Sequence, residues 1–445
     1  MFKSLFFTRP QRPARSNNRQ FARQRGTSSN SSTSSSGLSS NSLSRRHRPD
    51  YSLLIIALLL SVIGLVVVYA ISPGLAATKG VDNNYFVIKQ LIAIGLGLAA
   101  FTLASFISIG MLQKARHVLL GLTAAGILIV MIAGEEINGA TRWIQVGGFS
   151  FQIAEMIKLT LIVWLTMFLV ERMRNGEIND SKKTLRPLLI VIGLIGVVVA
   201  GIQSDLGSTG VMIAIIGVLG YTAGLPLKKI GIIVTIIAVL ATLAIASTPY
   251  RRDRVTTFLN PQSDCQATGY QACQALIAVG SGGMFGLGLG SGVQAYGYLP
   301  EAANDSIFAI LAEKFGFMGV AAVLGLYLLL FSRFKRIIER TREPFARLFV
   351  VGVLAWISTQ TIINVGAMIG LLPLKGITLP FISYGGTSIL FIMAALGLVF
   401  QISRYTSFEP IRSSNKMKAK EPSYDHRPMR RRVGRPYYAA SARRS

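Results

Sequence analysis

Apolar residues in this chain fall into long runs, and ten of them approach the roughly 20 residues a helix needs to cross a bilayer. They cover 51–71, 85–107, 118–133, 153–170, 188–202, 207–222, 230–246, 307–331, 349–369 and 388–402. Glycine is frequent inside them, as membrane helices permit where they pack closely. The pattern predicts an all-α polytopic membrane protein of about ten transmembrane helices with both ends on one side. Polar stretches divide the chain further. Residues 1–50 set Arg-rich segments around a Ser/Asn/Thr tract at 27–44, with too little apolar content to order a backbone. They lack the short apolar core and cleavage site of a signal peptide, so the first run is expected to be a retained helix. The expected units are a disordered basic tail (1–50), a membrane domain (51–402) and a second disordered basic tail (403–445). Residues 248–305 form a large extracytoplasmic loop between spans seven and eight.

Charge sharpens this division. The chain of 445 residues has 46 Lys plus Arg against 19 Asp plus Glu, a net charge of +27, with a mean hydropathy of +0.50. So much positive charge would suit a nucleic-acid binder, but it is not spread along the chain. Residues 1–50 hold ten basic residues and one acid, and residues 403–445 hold twelve and three, so eighteen of the 27 charges lie in the tails. That distribution argues for a membrane protein with two basic tails and no nucleic-acid partner. The tails, Lys114/Arg116, the 172–186 loop, Lys228/Lys229 and the 333–347 loop fall on one side of a ten-span alternation. The bias of Lys and Arg makes that side cytoplasmic, with both termini on it.

Other chemistries are excluded early. Two cysteines cannot build a zinc ribbon or an iron–sulfur site. The three histidines, His47, His117 and His426, show no metal-protease spacing. No GK[ST] string exists, and the Gly-rich stretch 280–292 completes no GxGxxG.

Ionisable residues inside spans are costly and are functional candidates by default. Glu155 and Lys158 share a helix face on the fourth span. Asp205 sits at the turn between spans five and six, and Glu313 with Lys314 interrupts the eighth. A charge network that holds helices in register is the alternative to a functional role for each. In the outer loop Arg251, Arg252 and Arg254 break the charge rule around Asp253. Guanidinium groups suit bidentate phosphate contact, and snorkelling to headgroups is the alternative. Cys265 and Cys273 lie eight apart in the same loop, where a disulfide is chemically allowed; two free thiols are equally open.

Seven ordered strings then carry a resemblance: NGATRW (138–143), FQIAEMIK (151–158), QSDLG (203–207), PYRRDR…FLNP…TGYQ, LPEAANDSIF (299–308), AEKFGF (312–317) and LPLKGITLPFISYGGTS (372–388). Together they resemble the SEDS family of bacterial shape, elongation, division and sporulation proteins. The version at 375–380 is more similar to the division members than to the elongation members. The resemblance implies a peptidoglycan glycosyltransferase that polymerises lipid II in the bacterial cytoplasmic membrane, at the septum. A class B penicillin-binding protein is the implied cross-linking partner. The family's catalytic aspartate falls on Asp305. Ala303 stands where the family has His, Ser306 where it has Phe, and Gln152-Ile153-Ala154-Glu155 departs from the family's QPSE.

The chemistry is coherent on its own terms. Joining two lipid-linked disaccharides requires an acceptor hydroxyl to lose a proton as it attacks an anomeric carbon. A lipid diphosphate leaves as a stable anion, so one carboxylate base and cationic stabilisation suffice. Asp305 is the expected base, with an N-cap of span eight as its structural alternative. Arg251, Arg252, Arg254, Lys375, Glu301, Ser383, Tyr384, Gly385 and Gly386 are the expected substrate-binding set. Arg142 joins Glu155, Lys158, Asp205 and Glu313 as expected network residues. No cofactor is evident. A divalent metal is left open, with Asp253 and Glu301 as generic ligands. The tails are expected to meet anionic lipid or division proteins. A lipid-precursor flippase and a non-catalytic division scaffold are the rival functions; the outer-face position of Asp305, the arginines and Lys375 favours the enzyme.

Overall fold

The computed structural model describes residues 48–137, 140–146, 149–246, 258, 265–266, 269–374 and 376–406. Residues 1–47 and 407–445 of the tails, with Arg251, Arg252, Asp253, Arg254 and Lys375, lie outside the described residues. Each of the ten apolar runs is helical. The helices are α1 (Tyr51–Lys79), α2 (Tyr85–Ala104), α3 (Ile109–Lys114), α4 (Arg116–Ala133), α5 (Ile153–Arg174), α6 (Arg186–Ile195), α7 (Leu206–Thr222) and α8 (Leu227–Ala246). After the outer loop come α9 (Tyr270–Ser281), α10 (Ile307–Arg340), α11 (Pro344–Met368) and α12 (Gly386–Ser403). Wider π-type turns flank α6 at Ser181–Leu185 and Gly196–Ile202. Among the described residues eight helical segments are long and apolar enough to cross a membrane, and α7 is a shorter apolar helix. The chain is a multi-pass helical membrane protein.

Several helices outrun their apolar runs. α1 continues through Pro73 to Lys79 and stops at Gly80, whose φ of 62° supplies the left-handed cap. α10 continues past the bilayer-sized run to Arg340. One element is not helical. β1 (Glu135–Ile137), β2 (Ala140–Val146) and β3 (Phe149–Gln152) form a small antiparallel sheet between α4 and α5.

The interior is built from α5, α11 and α12, which are mostly buried, whereas α4 is largely exposed. Small residues let backbones approach: a Cβ on Gly397 of α12 would meet Phe101 O of α2 at 2.4 Å, and Phe101 packs on Phe400 at 5.2 Å. One end of the bundle joins the chain's entry and exit, since Asp50 N–H donates to Ser403 Oγ at 3.1 Å. Arg116–Glu171 at 2.8 Å ties α4 to α5 at that same end. At the other end α5, α7, α10 and α12 begin. There Gln152 N–H donates to Thr387 Oγ1 at 3.2 Å and Gln152 Nε2 to Asp205 Oδ2 at 3.2 Å.

Candidate active site

Asp305 occupies the short loop 299–306 just before α10. The loop turns at Glu301, whose φ is +52°. Glu301 O accepts from Asn304 N–H at 2.9 Å and Ser306 N–H at 3.2 Å. Three consecutive carbonyls on the way into α10 are then taken by neighbours. Ala303 O accepts from Tyr384 N–H at 2.8 Å, Asn304 O from Ser383 Oγ at 2.6 Å, and Asp305 O from Asn364 Nδ2 at 2.7 Å. Buried carbonyls need such partners, and these fix the backbone that carries the carboxyl.

The donors come from the loop 376–385 and from α11, which are themselves joined. Asn364 Nδ2 also donates to Ile377 O at 2.7 Å. One helical turn earlier, Gln360 Nε2 donates to Thr378 O at 3.0 Å and Thr378 Oγ1 at 3.1 Å. Tyr327 Oη on α10 donates to Pro380 O at 2.5 Å. Ser383 is buried and its hydroxyl accepts from Leu379 N–H at 2.7 Å while donating to Asn304 O. Tyr384 stacks edge-on against Phe86 at 5.6 Å, and burial first, then Tyr85, pushes its phenol up to about 12. These two residues therefore hold the 376–385 loop to the loop that carries Asp305.

The Asp305 carboxyl is half-buried, and its Oδ1 has no hydrogen-bond partner among the described residues. It opens on a small pocket whose walls include Ile363, Asn364, Ala367, Met368 and Ile377. Gly376 faces it closely: with φ at +64°, its missing Cβ would stand 3.8 Å from Asp305 Oδ2. Burial first, then the charge of Glu301, raises the carboxyl from the ordinary aspartate range to about 7. Its own backbone N–H and the Gln271 and Ser306 side chains pull the other way. The expected N-cap alternative is corrected: Ser306 is the N-cap of α10, and no side-chain cap bond is made there.

Beneath the loop lies the charge pair expected on α5. Lys158 Nζ is 2.7 Å from Glu155 Oε1, both side chains almost fully buried. Lys158 Nζ also reaches Gln360 Oε1 at 3.5 Å, which accepts from Trp356 Nε1 at 2.7 Å. Glu155, Lys158, Gln360 and Thr378 therefore make one polar path from the first turns of α5 to the loop that grips Asp305. Asp205 is the N-cap of α7 through Ser208 N–H at 2.9 Å. Glu313 Oε1 accepts from Gln294 N–H at 3.0 Å and Lys314 Nζ donates to Ser291 O, so this pair binds the Gly-rich segment and stays apart from Glu155–Lys158. Arg142 stands on β2, half-buried, its Nε without a hydrogen-bond partner among the described residues. Gly385 and Gly386 open α12. Cys265 and Cys273 form a disulfide with Cα atoms 5.7 Å apart. Among the described residues no group of three or more His, Cys, Asp or Glu is placed to hold a metal.

Gln271 stands in the quoted string TGYQ without a role given to it; Gln360 and Asn364 escape the sequence because neutral amides do not register as charges in an apolar run. Their signal is an amide pair at i, i+4 on one face of α11.

These features define a class: a polytopic membrane enzyme with one carboxyl poised near neutrality at the end of its helix bundle. The comparisons with known proteins give the family. Residues 50–408 match the FtsW, RodA and SpoVE cell cycle protein family. A probable peptidoglycan glycosyltransferase FtsW of Thioalkalivibrio sulfidiphilus is 39% identical over 365 residues, 81% of this chain and 90% of the relative. Stage V sporulation protein E of Bacillus subtilis is 36% identical over 368 residues, 82% and 99% of the two chains. Among solved structures, a chain of a peptidoglycan synthase complex that coordinates polymerization and crosslinking superposes with a TM-score of 0.65 at 28% identity. It covers 80% of this chain and 98% of that one. The rod shape determining protein RodA of Thermus thermophilus gives 0.56 at 26% identity, over 80% and 97%. The chain belongs to this family, the SEDS peptidoglycan glycosyltransferases.

Proposed function

We propose that the protein polymerises lipid II into glycan strands during cell division, with Asp305 as general base. Asp305 takes the proton of the acceptor hydroxyl as that oxygen bonds to the donor's anomeric carbon. The bond from that carbon to the lipid diphosphate breaks, and its electron pair leaves with the diphosphate. Arg251, Arg252, Arg254 and Lys375 hold the diphosphate. The observation that carries the reading is the Asp305 carboxyl itself, with one oxygen unpartnered, raised to about 7 and mounted on a clamped backbone. A base works best when its pKa lies near the working pH.

The same reading sets the topology. Ten spans place 248–305 outside, between spans seven and eight, and put the tails 1–50 and 403–445 in the cytoplasm. The meeting of Asp50 and Ser403 at one end supports that arrangement. We place the enzyme in the bacterial cytoplasmic membrane at the septum, beside a class B penicillin-binding protein. Likeness to a chain of a synthase complex that coordinates polymerization and crosslinking supports such a partner. The test is product formation in detergent, where no second compartment exists. Glycan chains made from lipid II there support the enzyme, whereas a transporter makes none.

A further inference from the structure

We propose that Gln271 is a positioning residue for the Asp305 carboxyl and that the Cys265–Cys273 disulfide holds Gln271 in place. The inference rests on the reading of Asp305 as base. Gln271 lies in the first turn of α9, outside the membrane spans, and its Nε2 donates to Ser306 Oγ at 3.2 Å. That hydroxyl is wholly buried and donates in turn to Pro300 O at 2.9 Å. Gln271, Ser306 and Pro300 thus brace the loop that carries Asp305 from the side opposite Asn364 and Ser383. The Gln271 amide, which has a second N–H to give, also favours the ionised carboxyl, against burial and Glu301.

The disulfide is placed to control this brace. Cys273 is two residues beyond Gln271 on the same helix, is buried, and is bonded to Cys265. The far end of α9 is seated without it. A Cβ on Gly282 would lie 2.0 Å from Ala312 O of α10, and Leu276 lies 3.3 Å from the Cβ position of Gly370. The near end begins at Gly269, which makes no side-chain cap bond, and is held at Gln271 by the bond to Ser306. The crosslink therefore fastens the end of α9 that bears Gln271. Glu301 is the charged group acting on Asp305. The 376–385 loop adds Tyr384, α11 and α9 face the site with the amides Asn364 and Gln271, and Lys375 lies outside the described residues.

The experiment follows lipid II polymerisation from pH 5.5 to 8.5 by full-length wild type, Gln271→Leu, Cys265→Ser/Cys273→Ser and Asp305→Asn, each with and without a dithiol. The dithiol supplies two electrons and two protons, turning the S–S bond into two thiols while closing to its own cyclic disulfide. The acidic limb of Gln271→Leu is expected to move up by about half to one pH unit, the equivalent of one hydrogen bond to the ionised form. Dithiol moves the wild-type limb the same way, the double-serine variant starts shifted, and Gln271→Leu no longer responds to dithiol. An unmoved limb in Gln271→Leu, or equal dithiol effects on wild type and Gln271→Leu, overturns the proposal. No dithiol effect on wild type overturns the role of the disulfide. If Gln271→Leu does not fold, dithiol-treated wild type decides: a shifted limb supports the brace, and a uniform rate loss without a shift sinks it. Asp305→Asn separates the premise, since full activity there removes the base itself whatever Gln271 does.

Discussion

Asp305, the proposed base, sits at a position that costs stability. Its carboxyl sits where burial and Glu301 disfavour charge, raising it from 3.8 to about 7. In the unfolded chain it ionises near 4, so between pH 4 and 7 the folded state binds the extra proton and stability falls as pH rises. The cost is absent below the unfolded value and complete above about 7, on the order of 4 kcal/mol at most. Asp305→Asn is therefore expected to be inactive yet more heat-stable than wild type at pH 8, with the gain shrinking toward pH 4; thermal melts at both ends check this. The sequence singles out Asp305 through the string LPEAANDSIF, which resembles the family's motif around its catalytic aspartate. Its setting was not legible, because the partners are backbone carbonyls and uncharged amides, and a string of letters does not show which loop meets which. The N-cap alternative for Asp305 failed for a related reason, as the helix begins one residue later, after Ser306.

The elements show where apolar runs are informative and where they stop. Ten runs became ten helices, but the break inside α10 is carried by backbone alone. Gly316 has φ 64° and ψ −166°, and the Gly-rich segment fills the gap: Leu287 and Gly288 N–H groups reach Glu313 O and Lys314 O at 2.9 and 3.0 Å. A Cβ at Gly316 would meet Gly286 N at 2.3 Å. Gly316→Ala combines a strained φ with that clash and is expected to cost about 3 kcal/mol or more, read as a lower melting temperature. The buried pair on α5 makes a second test. Lys158→Met strands Glu155 and is expected to cost about 3–5 kcal/mol, whereas Glu155→Gln/Lys158→Met recovers at least about half of it. A double variant no better than the single would show that the pair is not what holds this part of the bundle. The small sheet at 135–152 escaped the sequence because two of its three strands, at 3 and 4 residues, are too short to show an alternating pattern.

At the scale of the whole molecule, the charge of +27 divides between tails and bundle ends. Cationic loops gather at the end where Asp50 meets Ser403, while Asp305 and its clamp lie at the other. Asp82, between α1 and α2, belongs to the Asp305 end, and Arg342, between α10 and α11, to the opposite one. In a Cys265→Ser/Cys273→Ser background, Asp82→Cys is expected to react with a membrane-impermeant maleimide on intact cells and Arg342→Cys only after lysis. The reverse labelling would invert the molecule and put the carboxyl on the wrong side for an already exported substrate. The multi-pass helical class was legible because the bilayer imposes a length on apolar runs; the grip on the loop that carries Asp305 follows only from the packed bundle.

The most direct measurement is lipid II polymerisation by purified wild type and Asp305→Asn in detergent across pH 5.5 to 8.5. Wild type is expected to make glycan chains at a rate that rises through about pH 7 as the carboxyl ionises, and the variant to lose at least about a hundredfold of that rate at every pH. An Asp305→Asn protein that polymerises at the wild-type rate would contradict the account at its centre.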